Sequence, residues 1–182
     1  MEQTSTSWNV RDMAYIAVFV AVMAVCSWIS IPTAIPFTLQ TLGVFLAVGL
    51  LGGKRGSVAV LAFILLAAVG APVLAGFHGG LSALLGMTGG YIAGFLFSAL
   101  VMWAMERIWG KGLAVLGASM VIGLLVCYAF GTAWFIAVYT RNTGAMTLGA
   151  ALMACVVPYI LPDLVKIALA LAITARLRPY VK

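Results

Sequence analysis

Charge is what this sequence has least of. Among 182 residues there are ten Lys or Arg, four Asp or Glu and one His, so 8% of the chain is charged. A water-soluble domain carries about a quarter. A chain this poor in charge cannot cover itself with a hydrated surface. Cysteine is scarce as well: Cys26, Cys127 and Cys155 lie in separate apolar stretches. Their spacing fits neither Cys-x-x-Cys nor a Cys/His metal site, so they read as small buried hydrophobes, and no metal or cofactor is expected. A phosphate-binding loop is missing, because Lys54 is followed by Arg55 and Val48 stands where such a loop needs glycine. Any ATP would therefore be bound by another chain. Intramembrane proteolysis is excluded on similar grounds. Only Asp163 is a carboxylate well inside an apolar run, while His78 and Ser82 sit four apart in one stretch without a Gly-x-Ser-x-Gly elbow. The net charge of +6 does not indicate nucleic acid, since the basic residues flank apolar runs instead of clustering with aromatics on a polar surface.

What is abundant is hydrophobicity, at 65% of the chain. A transmembrane helix needs about 20 apolar residues, so the length allows at most about six or seven spans in one membrane domain covering residues 1–182. Hydropathy, glycines and prolines give six segments, at about 12–29, 39–51, 57–69, 91–108, 113–139 and 148–177. The polar stretch before Met13 and the long run after it read as a retained first helix, not a cleaved signal. Pro32 and Pro36 make residues 30–37 an extended loop, and Gly52-Gly53-Lys54-Arg55-Gly56 separates the second segment from the third. With six spans both termini share one side. That side holds Arg11, Lys54, Arg55, Arg107, Lys111, Arg176, Arg178 and Lys182, against Arg141 alone on the other. The positive-inside rule then makes both termini cytoplasmic. The two halves share no motif, so an inverted-repeat transporter is not indicated.

Three features are unusual for a lipid-embedded chain. Asp163 and Lys166 lie inside the last segment, three residues apart and so on one helix face. Charges at this depth cost about 2.5–3.5 kcal/mol each and generally mark function. They form either a structural ion pair or a grip on a small polar ligand that carries both donors and acceptors. The stretch 70–91 holds seven glycines, Pro72 and the only histidine, His78, with no charged side chain. It is too apolar for a solvated linker and reads as a lid folded over the helices, or else as a packed re-entrant connection. Ala14, Ala17, Ala21 and Ala24 recur at three- and four-residue spacing on the first segment, a pattern that lets helices approach closely in lipid. The stripe is either internal packing or a docking face for another membrane subunit.

These pieces, taken in order, resemble a known family. Ile35-Pro36-Phe37-Thr38-Leu39-Gln40-Thr41 comes first, then Leu51-Gly52-Gly53-Lys54-Arg55-Gly56. Gly70-Ala71-Pro72-Val73-Leu74 with Gly79-Gly80 follows, then Gly86-Met87-Thr88-Gly89-Gly90-Tyr91, and last Pro162-Asp163-Leu164-Val165-Lys166. Together they resemble the BioY family, the biotin-specific S-components of energy-coupling factor (ECF) vitamin transporters. The resemblance spans about residues 11–178. It implies an all-α membrane protein of six helices with cytoplasmic termini in a prokaryotic plasma membrane. A long glycine-rich outer loop would join helices three and four, and a biotin site would lie near the outer face. It also implies that the alanine stripe docks a transmembrane coupling subunit, which joins two cytoplasmic ATPases. Asp163 and Lys166 stand at the family's acid–lysine positions. His78 stands where some members have asparagine, and Tyr91 follows the double glycine. The chain departs from the pattern at Ile92, where some relatives have arginine, and at Met87, where proline is commoner. The acid and lysine would meet the ureido ring between them, or Lys166 would meet the tail carboxylate. Trp134, Tyr159 and Phe77 are candidates to wall the ring system, and Gln40 or Thr38 to close the top. The nearest alternatives are an S-component for another vitamin, of thiamine or riboflavin type, and a purely structural membrane subunit.

Overall fold

A backbone in lipid must satisfy its own hydrogen bonds, and the helix does so within one segment. The computed structural model describes residues 9–31 and 36–181, and there the chain is mostly helical. Its helices are α1 (Val10–Trp28), α2 (Gln40–Leu51), α3 (Gly53–Ala68), α4 (Leu81–Leu85), α5 (Gly89–Trp109), α6 (Leu113–Asn142), α7 (Leu148–Cys155) and α8 (Val157–Leu177). Four of them, α1, α5, α6 and α8, are long and apolar enough to cross a bilayer, so the chain is a multi-pass membrane protein. At 1.5 Å per residue the 12 residues of α2 and 16 of α3 reach about 18 and 24 Å, short of a hydrocarbon core of about 30 Å.

Several expected boundaries need correction. The structure is not wholly α: β1 (Ser30–Ile31) pairs antiparallel with β2 (Phe37–Thr38), Ser30 opposite Thr38 and Ile31 opposite Phe37. Branched and aromatic residues favour that extended pairing. Pro32 and Ile35 of the expected loop, and Lys182 of the expected basic side, lie outside the described residues.

The third helix starts at Gly53, not Ser57, so the basic glycine-rich stretch is its first turn. No side chain of its own caps that turn. Instead Glu106, from the end of α5, accepts the Gly53 N–H at 2.6 Å, which satisfies an open donor and places negative charge at a helix N-terminus. Gly52 makes the reversal from α2 at φ +82°.

The expected last segment is two helices, broken at Val156. Pro158 explains the break: it lacks an N–H, and its ring would meet the carbonyl four residues back. Pro162 therefore lies inside α8 and does not start it. The glycine-rich stretch is also more ordered than expected, with a 3₁₀ turn at Ala75–Phe77 and α4 within it.

Ion pairs and hydrogen bonds gather the basic residues at one end of the bundle. Arg55 meets Asp12 at 3.1 Å and Lys111 meets Glu106 at 3.5 Å. Arg178 donates to the Lys111 carbonyl at 2.8 Å. Arg141 lies at the opposite end of the 30-residue α6. Between the ends, Met23, Phe45, Phe63, Met102 and Met120 form the interior, while Leu65, Leu125, Leu161 and Val165 point outward, as a lipid surround permits. The closest helix pair is α5 with α6. A Cβ on Gly131 would sit 2.2 Å from the Tyr91 ring, and one on Gly90 would sit 2.2 Å from the Trp134 Cβ. Both glycines are required by that approach. On α1, Ala14, Ala17 and Ala21 are exposed. Ala24 is 5% exposed and packs into the core, so it leaves the expected docking stripe.

Candidate functional site

The Asp163 and Lys166 side chains come from one turn of α8, on the face that continues through Ile167, Ala170 and Thr174 into the core. Both are almost fully buried, with side chains 4% and 5% exposed, and Lys166 Nζ lies 2.7 Å from Asp163 Oδ1. Burying two charges is costly unless their remaining valences are filled. Here they largely are. Asp163 Oδ1 also accepts from Thr41 Oγ1 at 3.0 Å, and Oδ2 accepts from the Tyr128 phenol. Lys166 donates a second N–H to the Thr38 carbonyl at 2.7 Å, and its ammonium sits 4.4 Å from the centroid of the Phe37 ring, a cation–π contact. An ionised carboxylate offers about four lone-pair sites and an ammonium three N–H groups. With three and two of these taken by the protein, each keeps about one valence for something else.

Both residues line a cavity of about 450 Å³, within the usual range for small-molecule sites of about 300–1,000 Å³. Thr38 comes from β2, and Gln40 and Thr41 from the start of α2. The stretch between α3 and α5 contributes Leu74, Ala75, His78, Ser82 and Thr88. Tyr91, Ile92 and Phe95 come from α5, Cys127 and Tyr128 from α6, Cys155 from α7, and Tyr159, Asp163 and Lys166 from α8. The lining is mainly apolar, with its charged pair at one place. The Gln40 side-chain nitrogen, also in this wall, is buried without a hydrogen-bond partner among the described residues. Leaving such a donor unfilled costs about 1–3 kcal/mol, which a ligand oxygen would recover. The arrangement suits recognition of a compact molecule with an apolar body and a few polar atoms.

Of the residues singled out from the sequence, the cavity brings together Asp163, Lys166, His78, Tyr91, Gln40, Thr38 and Tyr159. The Tyr91 hydroxyl shares a hydrogen bond with Thr132 Oγ1 at 2.9 Å, so its orientation is fixed by α6. Phe77 and Trp134 are not in the lining. Phe77 is 64% exposed and packs on Trp28 with ring centroids 5.1 Å apart. Trp134 turns its indole N–H to the Gly86 carbonyl at 3.0 Å. Sequence reasoning passed over Tyr128 and Thr41, both of which grip Asp163. Tyr128 carried a usable signal, a phenol in the middle of an apolar run that must find a partner when buried. Thr41 directly follows Gln40 and carried none.

Known proteins resemble this chain in sequence and in fold. A sequence model described as the BioY family matches residues 1–182. A relative from Thermotoga maritima named "Biotin transporter BioY" is 38% identical over 92% of this chain and 96% of its own length. One from Pyrococcus horikoshii, "Probable biotin transporter BioY", is 37% identical with the same coverage. Among solved structures, the S-component for biotin from an ECF-type ABC transporter, determined at 2.1 Å, superposes with a TM-score of 0.83. It is 27% identical, over 98% of this chain and 95% of that one.

Proposed function

Since the chain belongs to the BioY family, we propose that it binds biotin with high affinity and serves biotin uptake as the substrate-specificity subunit, or S-component, of an ECF transporter. The single observation that carries this reading is a buried charged pair with spare valence in the wall of a mainly apolar cavity of small-molecule size. Biotin has an apolar body, a ureido group with two N–H donors and a carbonyl, and a carboxylate. The free Lys166 N–H and the unpartnered Gln40 amide would take an acceptor oxygen. The remaining Asp163 lone pair would take an N–H. His78, Tyr91, Tyr159 and Thr38 would border the ligand. The chain's relatives are transporters, and the site calls for no cofactor of its own.

In the same reading the chain is one integral domain that crosses a prokaryotic plasma membrane six times, with α2 and α3 as short spans and α7 with α8 as the last. The basic end faces the cytoplasm with both termini, and the glycine-rich stretch faces outward. Ala14, Ala17 and Ala21 dock a transmembrane coupling subunit, and two ATPases joined to it supply the ATP chemistry. The test is competition binding to the purified chain. Biotin is expected to displace labelled biotin, whereas thiamine and riboflavin are not. Displacement by either of those in preference to biotin would overturn the assignment.

A further inference from the structure

We propose that Trp28 and Trp134 are positioning residues that pin the two ends of the cavity's roof and so set how fast bound biotin escapes. This rests on the biotin reading above. The roof is the stretch 70–88, whose middle gives Leu74, Ala75, His78 and Ser82 to the cavity wall. Little of it is held by its own secondary structure, which amounts to a three-residue 3₁₀ turn and a five-residue helix. Within it the Leu74 N–H donates to the His78 carbonyl at 3.0 Å, and the Gly80 N–H ties its middle to the Ala67 carbonyl of α3 at 2.6 Å; its two ends are tied by side chains of other helices. At one end Trp28 Nε1 donates to the Pro72 carbonyl at 2.9 Å, and Ser27 Oγ donates to the Val73 carbonyl at 2.8 Å. At the other end Trp134 Nε1 donates to the Gly86 carbonyl at 3.0 Å. Trp134 gets close because Gly90 has no Cβ to block it.

Tryptophan near a helix end in a membrane protein has an ordinary explanation as an interfacial anchor, with the indole N–H turned to water and headgroups. Both N–H groups here are spent on roof carbonyls instead. Phe77 gives a second, independent sign. It is the only non-glycine at positive φ among the described residues, at 60°, a strained conformation for a bulky side chain. Its side chain is largely exposed, so core packing does not hold it there. Backbone bonds from the Phe77 N–H to the Leu74 carbonyl and from the Leu74 N–H to the His78 carbonyl close the turn, and the exposed ring rests on Trp28. One tryptophan thus holds the roof by a carbonyl and by a strained turn, and the other closes the far end.

The test is release of labelled biotin from the full-length chain in nanodiscs, chased with excess unlabelled biotin. Trp28→Phe and Trp134→Phe are each expected to speed release about fivefold, the factor that one net hydrogen bond is worth. Association is expected to change little, and melting of the ligand-free protein to stay close to the parent. Trp109→Phe, at the exposed last residue of α5, is expected to leave release unchanged. Phe77→Gly keeps the left-handed turn accessible and removes only the ring, so it decides the matter if a tryptophan variant folds poorly. Its release is also expected to be faster. Release equal to the parent in both tryptophan variants, or in Phe77→Gly where a tryptophan variant does not fold, overturns the pinning. A parent chain that takes up no labelled biotin overturns the biotin reading itself, and this proposal with it.

Discussion

Removing one charge of the Asp163–Lys166 pair should destabilise the protein and removing both should not, while both changes should weaken binding. In Lys166→Met the Asp163 carboxylate stays in the interior with only Thr41 and Tyr128 to meet it. Leaving one member of a buried pair unpaired costs about 3–5 kcal/mol, and the ligand-free protein should melt well below the parent. In Asp163→Asn/Lys166→Met neither charge remains. Asn keeps the shape of Asp and an oxygen for Thr41, and Met fills the volume of the lysine stem. Replacing a buried pair by neutral groups of similar volume is often neutral or stabilising, so melting should return close to the parent. Biotin binding should not return, because both charged groups that line the cavity are gone. We expect a loss of at least tenfold in both variants, which is about 1.4 kcal/mol. The assay is thermal melting without ligand alongside calorimetric titration with biotin for parent, single and double variants. A double variant that binds biotin like the parent would show the pair to be a structural lock and refute the reasoning. A double variant as unstable as the single one would refute the electrostatic argument.

Other expectations follow from the packing. Gly90→Val drives a side chain into the Trp134 Cβ, which cannot swing aside. It should cost about 1–3 kcal/mol and weaken biotin binding, as melting and titration would show. Glu106→Gln removes the carboxylate that caps α3, where a lost cap costs about 0.5–2 kcal/mol. Faster amide exchange at Gly53 is expected, with the biotin titration unchanged. Ala17→Phe bulges from the exposed face of α1. It should leave biotin titration intact and abolish co-purification with the coupling subunit; retained co-purification would move the docking face elsewhere.

The long apolar helices and the buried pair were legible because each rests on a strong local rule: length and hydropathy for α1, α5, α6 and α8, and the cost of charge at depth for Asp163 and Lys166. What was not legible depended on partners distant in sequence. Nothing near Gly53 shows that a carboxylate 53 residues later caps its helix, so the start of α3 was misplaced. The break at Val156 was within reach, since Pro158 forbids a continuous helix, but two prolines in one run left its position open. Tyr128 and Thr41 join the site only because α2, α6 and α8 converge there. Phe77 and Trp134 are candidates for ligand walls by residue type alone, and nothing local in the sequence shows which way either side chain turns. The structure uses both on the roof's own fixings instead.

The central claim is that this cavity holds biotin through the buried pair, and native mass spectrometry of the detergent-purified chain tests it most directly. With biotin added near half-saturation of the parent, the intact protein should carry a single adduct of biotin's mass, and the Asp163→Asn/Lys166→Met protein should carry far less under the same conditions. A bare parent chain at saturating biotin, or an adduct equally abundant on the variant without either charge, would contradict it.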